Sequence, residues 1–395
     1  MKRKLSDSSG YASSKNIKLS YERECPIKKL RSQVIPNPVL SQSLRLGGTR
    51  ALKQHREKKA NKSNARNCKQ VDSAPDIGTV VEQRYRIEKF LGKGSFGFVS
   101  ACTDLLAPNL TVAIKFLKYI DDDQRTMNEI SVLQRIADAD KQASSHCIQP
   151  IDLFRDRVSN QDCIVFPMYS CNLYEFLKRN HYMPFNLHEA KTIILQVCQA
   201  VNFIHSLHII HTDLKPENIM LYDDSYDYCY SDRSKFKKLR NLTVKVIDFG
   251  MAVEGSIHSK HCQTRHYRAP EVILEQEWSF GIDMWSIGCI LYELITGETI
   301  FMPSNTFEHL FIIEQFLGRI SRSVIDRCSE AIKKKYFHKN GALRKDNFHC
   351  DVKPLKHLCK YPKFEHALDL IESMLNVNLR HRIGSSEALR HRFFL

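Results

Sequence analysis

Residues 211–218 of the chain read His-Thr-Asp-Leu-Lys-Pro-Glu-Asn, and this stretch decides the fold. Within six positions it brings together Asp213, Lys215 and Asn218. A single loop thereby offers a carboxylate that can act as a base, a cation, and an amide oxygen that can bind a metal ion. Thirty residues beyond Asn218 comes Asp248, at the start of the sequence Asp-Phe-Gly and directly after residues 244–247, which are mostly apolar. The sequence Ala-Pro-Glu at residues 269–271 closes the next stretch.

Upstream of this loop, residues 92–99 read Gly-Lys-Gly-Ser-Phe-Gly-Phe-Val. Residues 85–91 and 111–117 on either side are rich in β-branched and aromatic side chains, which predicts a hairpin with a glycine-rich turn. Glycine allows a backbone to approach phosphate oxygens closely, because no Cβ is in the way. A strand follows the glycines where a dinucleotide-binding fold would have a helix. Taken alone, the motif could equally be a structural turn.

A lysine in the next predicted strand adds to this pattern. Strand alternation places Lys115 on the same face as Ala113. An inward-pointing lysine requires a counter-charge, and Glu129 offers one from the predicted helix at residues 121–136. Each of the two could be an ordinary solvated charge, but their order after the glycine loop indicates a phosphate-binding cleft.

The chain as a whole predicts an α+β, bilobal architecture. A small β-rich N-lobe at about residues 85–166 includes a short predicted strand at 163–166 and precedes a larger helical C-lobe at about residues 170–394. Residues 192–210 carry no charged side chain, yet polar residues interrupt the run. This stretch therefore predicts a buried amphipathic helix and no membrane span.

Charge is unevenly distributed along the 395 residues, whose formal net charge is +15. Residues 1–80 hold 18 of the 59 Lys and Arg but 6 of the 44 Asp and Glu, so the remainder is nearly neutral. Few aromatic residues interrupt this segment, which predicts a disordered basic tail. Basic clusters at residues 2–4, 28–31 and 53–62 are either solvated charge or a nuclear import signal, with RNA or chromatin contact as a third interpretation. Direct nucleic-acid binding by the near-neutral remainder is not expected.

The 13 cysteines show no Cys-x-x-Cys spacing, which argues against a structural zinc site. The first residues lack the apolar core of a secretory signal. Scattered thiols in that context predict a reducing compartment, the cytosol or the nucleus.

Together these motifs resemble a eukaryotic protein kinase domain, over residues 85–394. Residues 211–213, 264–272 and 308–314 are similar to the LAMMER kinases of the CMGC group, named for the motif E-H-L-A-M-M-E-R. The chain keeps both glutamates, the histidine and the leucine of that motif, whereas A-M-M-R is replaced by Phe311, Ile312, Ile313 and Gln315. Residues 221–243 occupy the place of a hairpin insert typical of the family.

The resemblance implies ATP and Mg²⁺ as the cofactors and gives each motif residue a role. Asp213 would accept or orient the proton of the substrate hydroxyl, Lys215 would offset charge on the γ-phosphoryl group, and Asn218 and Asp248 would hold Mg²⁺. The implied ATP-binding residues are Leu91, Gly92, Lys93, Gly94, Ser95, Phe96, Gly97, Val99, Ala113, Lys115, Glu129, Phe166, Pro167 and Tyr169. The implied supporting residues are Thr264, Glu271, Asp283 and Arg382, with Arg382 paired to Glu271.

The resemblance also implies serine/threonine phosphorylation of Arg/Ser-rich nuclear splicing factors, with tyrosine as a further acceptor. Glu217 matches a residue that can meet a substrate arginine, and Arg268 belongs to the substrate pocket. Thr212 stands where many kinases have an arginine that binds an activation-loop phosphate, which suggests activity without loop phosphorylation. We expect a monomer without membrane association, located in the nucleus and also able to occupy the cytoplasm, whose tail is read by import receptors.

Three alternatives stay open: a weakly active or inactive pseudokinase scaffold, another CMGC kinase with different substrates, and a nucleic-acid-associated protein that uses the basic tail. ATP turnover separates the active enzyme from the scaffold. Salt-dependent RNA binding tests the last alternative.

Overall fold

The computed structural model describes residues 75–94, 97–118, 123–231, 234–255, 257–344, 354–355 and 362–395. The predicted tail lies outside these residues except for its last positions, and so do Ser95 and Phe96 of the glycine loop. No helix in the described part of the chain is both long and apolar enough to cross a membrane.

An antiparallel sheet forms the N-terminal lobe of the described chain. Its strands follow the order β1-β2-β3-β4-β6-β5. They are β1 (Val80–Val81), β2 (Tyr85–Gly94), β3 (Gly97–Asp104), β4 (Thr111–Leu117), β5 (Asp152–Arg155) and β6 (Asp162–Pro167). Helix α1 (Asp123–Ala139) connects β4 to β5 and continues past the predicted end at residue 136.

Strand alternation divides this sheet into two faces. Val112, Ile114 and Phe116 of β4 pack into a buried cluster on one face. Ala113 and Lys115, which alternate with them, are only half-buried. The predicted orientation of Lys115 is therefore confirmed.

The sheet begins at Val80, the last residue of the predicted tail. Val80 pairs with Arg86, and the amide of Gly78 donates to the carbonyl of Ile87 at 2.8 Å. The short strand β1 therefore adds to the edge of β2 at the point where the tail was expected to end.

The strands continue into the segment that was predicted to be a glycine-rich turn, since β2 runs to Gly94 and β3 begins at Gly97. A Cβ on Gly97 would lie 2.1 Å from the carbonyl oxygen of Phe116. Packing of β3 against β4 thus requires this glycine whether or not a ligand is present. Gly92, in contrast, has no neighbouring atom within 4 Å of a Cβ position.

Helices dominate the C-terminal lobe. They are α2 (Leu173–Arg179), α3 (Leu187–Ser206), α4 (Pro270–Ile273), α5 (Gly281–Thr296), α6 (Thr306–Leu317), α7 (Arg322–Ile325), α8 (Glu330–Tyr336), α9 (Glu365–Met374) and α10 (Ser385–Ala388). Helix α3 is the predicted buried helix. It begins at a capping box in which the side chain of Asn186 accepts from the amide of Glu189 at 3.0 Å, while the side chain of Glu189 accepts in return.

Three short antiparallel pairs complete the described lobe. Strand β7 (Ile209–Ile210) pairs with β12 (Val253–Glu254), and β8 (Ile219–Leu221) pairs with β11 (Val244–Val246). The loop 211–218 is held between β7 and β8. Strands β9 (Tyr226–Ser231) and β10 (Ser234–Leu239) form the hairpin expected within residues 221–243.

Candidate active site

A buried carboxylate fixes the backbone of the loop 211–218. Asp283 of α5 is fully buried, and it accepts from the amides of His211 at 2.9 Å and Thr212 at 3.0 Å. His205 also lies 2.9 Å from the same carboxylate. Two main-chain donors on one carboxylate set the course of the loop, and Thr212 within it adopts a left-handed φ of 67°.

Asp213 lies at the centre of a network of hydrogen bonds. Its Oδ2 accepts from Lys215 Nζ at 2.7 Å, and its Oδ1 accepts from Thr264 Oγ1 at 2.7 Å. Thr264 Oγ1 in turn accepts from Lys215 Nζ at 3.0 Å. The carboxylate is therefore held in one orientation while its side chain keeps 16% exposure, so an incoming hydroxyl can reach it.

Asn218 joins this network from the short 3₁₀ helix Pro216–Asn218. Its Nδ2 donates to the Asp213 carbonyl at 2.8 Å, which leaves Oδ1 without a hydrogen-bond partner among the described residues. Within those same residues, no group of three or more His, Cys, Asp and Glu is arranged to hold a metal ion. Mg²⁺ does not require such a group, because it binds through one or two protein carboxylates together with water and substrate phosphates.

Lys115 lies between two carboxylates from different elements. Its Nζ is 2.6 Å from Oε1 of Glu129 on α1 and 3.0 Å from Oδ1 of Asp248. Burial opposes the charge of Lys115, but Glu129 and Asp248 outweigh it and raise the pKa of the lysine. Burial would likewise raise the pKa of Asp248, yet Lys115 holds it below the ordinary value. The expected pair with Glu129 is present, and both Lys115 and Asp248 are charged at neutral pH.

Asp248 reaches this position through an unusual backbone conformation. Its φ of 62° lies in the left-handed region. Phe249 beside it is fully buried, with its ring 5.1 Å from that of His211. Strain at a single non-glycine residue that carries a candidate ligand is typical of functional sites.

The sheet face that carries Lys115 forms the wall of the cleft. Val99 is the cross-strand partner of Lys115, and Ala113 is the partner of Phe166. Phe166 is buried, whereas Pro167 and Tyr169 after it are half-buried. The structure thus brings these predicted nucleotide-binding residues together; Leu91, Gly92, Lys93 and Gly94 follow in β2, and Gly97 opens β3.

The predicted pair of Glu271 and Arg382 is a buried, bidentate ion pair. Arg382 Nη1 and Nη2 donate to the two carboxylate oxygens at 2.5 and 2.8 Å. The Arg382 side chain has no solvent exposure, and its guanidinium lies 5.1 Å from the ring of Trp285. This pair joins residues far apart in sequence beneath the site.

Gln263 is a positioning residue that sequence reasoning missed. Its Nε2 donates to the carbonyl of Ile282 and to Ser286 Oγ, both at 2.9 Å, and its Oε1 accepts from the amide of Ala269. The side chain ties the segment around Thr264 to α5. No local pattern marks a lone glutamine for such a role.

Comparison with known proteins agrees with this geometry. The protein kinase domain family matches residues 85–394. The chain therefore belongs to the protein kinase family, and it is a protein kinase by fold and by site.

Among its relatives, dual specificity protein kinase CLK4 of Mus musculus is 38% identical over 331 residues, which cover 80% of this chain and 67% of CLK4. CLK1 of Homo sapiens shows the same identity and coverage. Serine/threonine-protein kinase Doa of Drosophila melanogaster is 36% identical over 334 residues, covering 80% of this chain and 39% of Doa. The solved kinase domain of PF14_0431 superposes with a TM-score of 0.74 at 26% identity, covering 82% of this chain and 98% of that domain. The predicted resemblance to the LAMMER kinases is confirmed.

Three of the four divergent positions of the LAMMER motif face the protein interior. Phe311, Ile312 and Ile313 of α6 are all buried. Glu308 caps the preceding turn by accepting from the amide of Ser304 at 2.6 Å. Three of the four substitutions in this motif therefore alter core packing, whereas the fourth, Gln315, lies exposed on the surface of the helix.

Proposed function

We propose that this kinase transfers the γ-phosphoryl group of ATP, with Mg²⁺, to serine and threonine hydroxyls of Arg/Ser-rich nuclear proteins, and that tyrosine is an additional acceptor. The observation that carries the proposal is the network around Asp213. Its carboxylate is oriented by Lys215 and Thr264 and stays accessible. That is the arrangement required of a base that accepts or orients a hydroxyl proton.

The donor set fits a magnesium-bound nucleotide. Asn218 Oδ1 has no hydrogen-bond partner among the described residues, and the side chain of Asp248 is 37% exposed with its pKa held low by Lys115. Both are oxygen ligands of the kind that Mg²⁺ prefers. The bound ion would neutralise charge on the phosphate oxygens, while Lys115 would orient the α- and β-phosphates and Lys215 would offset charge on the γ-phosphoryl group.

A preference for basic substrates is supported by Glu217. One oxygen of its carboxylate is buried without a hydrogen-bond partner in the described structure. Buried acceptors are almost always paired in folded proteins. A guanidinium group of the substrate would satisfy this oxygen, which favours an arginine near the acceptor residue.

Activity without activation-loop phosphorylation is supported by three tethers on residues 251–254, at the start of that loop. Thr212 Oγ1 and Asn128 Nδ2 each donate to a main-chain oxygen of this segment at 2.7 Å. Arg135 of α1 forms an ion pair with the carboxylate of Glu254 in this segment, at 2.7 Å. The protein's own side chains therefore tie the start of the loop to both lobes, which supports an ordering of the loop that does not depend on a phosphate.

Nuclear localisation is supported by the basic clusters at residues 2–4, 28–31 and 53–62. Import receptors could read such clusters as a signal. These residues lie outside the described structure, so this part of the proposal depends on composition and charge alone.

The test is phosphoryl transfer to an arrayed peptide library by the full-length chain and its Asp213→Asn variant. We expect Mg²⁺- and ATP-dependent labelling of peptides that carry arginine close to a serine or threonine, and phosphoamino-acid analysis reports any tyrosine. An enzyme that binds nucleotide but labels no peptide would favour the scaffold. Efficient labelling of peptides without arginine would point to another CMGC specificity.

A further inference from the structure

A cavity of about 120 Å³ opens beside the catalytic network. It lies between the activation segment that follows Thr264, the N-terminal turn of α6, and α8. Arg265 and Arg268, one and four residues after Thr264, form one side, and Lys335 of α8 lies on another. Since Thr264 itself contacts Asp213, a substrate in the catalytic cleft passes close to this cavity.

The cavity is rich in positive charge that the protein does not neutralise. Arg265, Arg268 and Lys335 face one carboxylate, Glu275. None of the three cations forms a salt bridge within the described chain. Burial, and then the charge of Arg265, lower the pKa of Arg268. Holding like charges together in a half-buried site is unfavourable unless an anion occupies it.

The guanidinium groups are oriented but not saturated. Arg268 donates from Nε to the carbonyl of Cys262 at 2.9 Å and from Nη2 to the carbonyl of Gln263 at 2.7 Å, and its Nη1 has no acceptor in the described part of the chain. Within the described chain, the Arg265 guanidinium donates from Nη1 alone, to the carbonyl of Ser304 at 2.5 Å. Several N–H donors thus remain for a ligand, in groups whose planar geometry suits phosphate oxygens.

A buried histidine gives an independent indication of a ligand. His309 of α6 lines the same cavity and is 2% exposed, and its Nε2 is buried with no hydrogen-bond partner among the residues that the structure describes. Burial, followed by the charge of Arg268, lowers its pKa to about 3. The ring is therefore neutral, and a neutral imidazole can donate one N–H to an anion.

We propose that this cavity binds a phosphate monoester carried by the protein substrate, on a residue near the acceptor. This inference rests on the proposed function. The carboxylate of Glu217 would select an arginine, and the positively charged cavity would select a phosphorylated serine or threonine in the same substrate segment. A partly phosphorylated Arg/Ser segment is then a better substrate than an unmodified one, so each transfer favours the next.

The experiment compares Lys335→Glu with Lys334→Glu in the full-length chain. Lys334 is exposed on the same helix but does not line the cavity, so it is the matched control. Each protein is dephosphorylated, and the phosphatase is then removed. The substrates are arginine-containing peptides with one acceptor serine, in which phosphoserine or alanine is placed at each position from four before to four after the acceptor. Initial rates give kcat and KM, and fluorescence anisotropy of labelled peptides without nucleotide gives Kd.

We expect phosphoserine at one register to raise kcat/KM about tenfold over alanine, mainly through KM, as one or two charge-assisted hydrogen bonds allow. Lys335→Glu should remove most of that gain and leave the rate on the alanine peptide unchanged, whereas Lys334→Glu should keep it. Likewise, phosphoserine should lower the Kd of the peptide for the wild type and for Lys334→Glu, and should lower it little for Lys335→Glu.

If phosphoserine raises kcat/KM at no register while the alanine peptides are phosphorylated normally, the cavity proposal is overturned and the proposed function stays intact. An equal gain in both variants shows that the phosphate is read elsewhere. Failure to phosphorylate any peptide overturns the proposed function instead, and the Kd values then still test the cavity. Specific binding of inorganic phosphate to the cavity without any preference among the peptides would assign the cavity to the free ion and would overturn a substrate-borne ligand.

Discussion

Lys115→Met separates the stabilising role of this lysine from its role in catalysis. Lys115 neutralises Glu129, whose side chain is 3% exposed, and contacts Asp248, whose side chain is 37% exposed. Methionine fills most of the lysine's volume but leaves the Glu129 carboxylate buried without a cation. Asp248 retains contact with water, so Glu129 determines the stability cost.

The cost has a ceiling, because Glu129 can take up a proton. Keeping a glutamate of ordinary pKa 4.5 protonated costs about 1.4 kcal/mol for each pH unit above that value, hence about 3 kcal/mol at pH 7 and less than about 1 kcal/mol at pH 5. In the variant, the folded-state pKa of Glu129 lies above its unfolded value, so the folded protein binds the extra proton. The destabilisation should therefore grow as pH rises from 5 to 7.

The assay is denaturant unfolding at pH 5, 6 and 7, together with peptide phosphorylation at pH 7. We expect Lys115→Met to lose at least about 100-fold in kcat/KM, since a preorganised cation at the phosphates is removed. Adding Glu129→Gln should restore stability and abolish its pH dependence without restoring activity. Lys89→Met, at an exposed position on β2, is the control and should change neither. A penalty equal at all three pH values, or no recovery in the double variant, would refute the account of the pair, and full activity of Lys115→Met would refute the assignment to phosphate.

Four further outcomes test the rest of the site. Asp213→Asn should lower phosphoryl transfer by about 10²–10⁴-fold, and equal rates in wild type and variant would show that this carboxylate is not the base. Glu271→Gln should destabilise the fold by about 3–5 kcal/mol, because it strands a fully buried guanidinium, whereas Glu271→Leu combined with Arg382→Met should retain most of the stability in the same unfolding assay. Phosphatase treatment should leave peptide-kinase activity largely intact, and loss followed by recovery on rephosphorylation would contradict the role of the Thr212 tether. A shortened chain beginning at Asp76 should keep its peptide-kinase rate but spread through the cytoplasm when imaged in cells, and unchanged nuclear concentration would exclude the tail as the import signal.

The sequence by itself determined the catalytic loop and the class of protein. Asp213, Lys215 and Asn218 fall within six positions, so their mutual contacts are local and follow from spacing. The inward face of Lys115 follows from the two-residue period of a strand. The need for a counter-charge indicated Glu129 as its partner, and the two are in contact. The family resemblance supplied the supporting residues Thr264, Asp283 and Arg382, and the structure places them in contact with Asp213, the loop backbone and Glu271, respectively.

Only the tertiary structure decided how the loop is braced and what surrounds it. Gln263 forms hydrogen bonds to α5, about 20 residues away in the sequence. Phe311 and its two neighbours in the helix are buried in the core. Arg265 and Lys335, 70 positions apart in the sequence, line the same cavity. Periodicity and motifs report which face of an element is buried and which residues lie close along the chain. They do not report which elements pack together, because that is set by the fit of many side chains across long sequence separations.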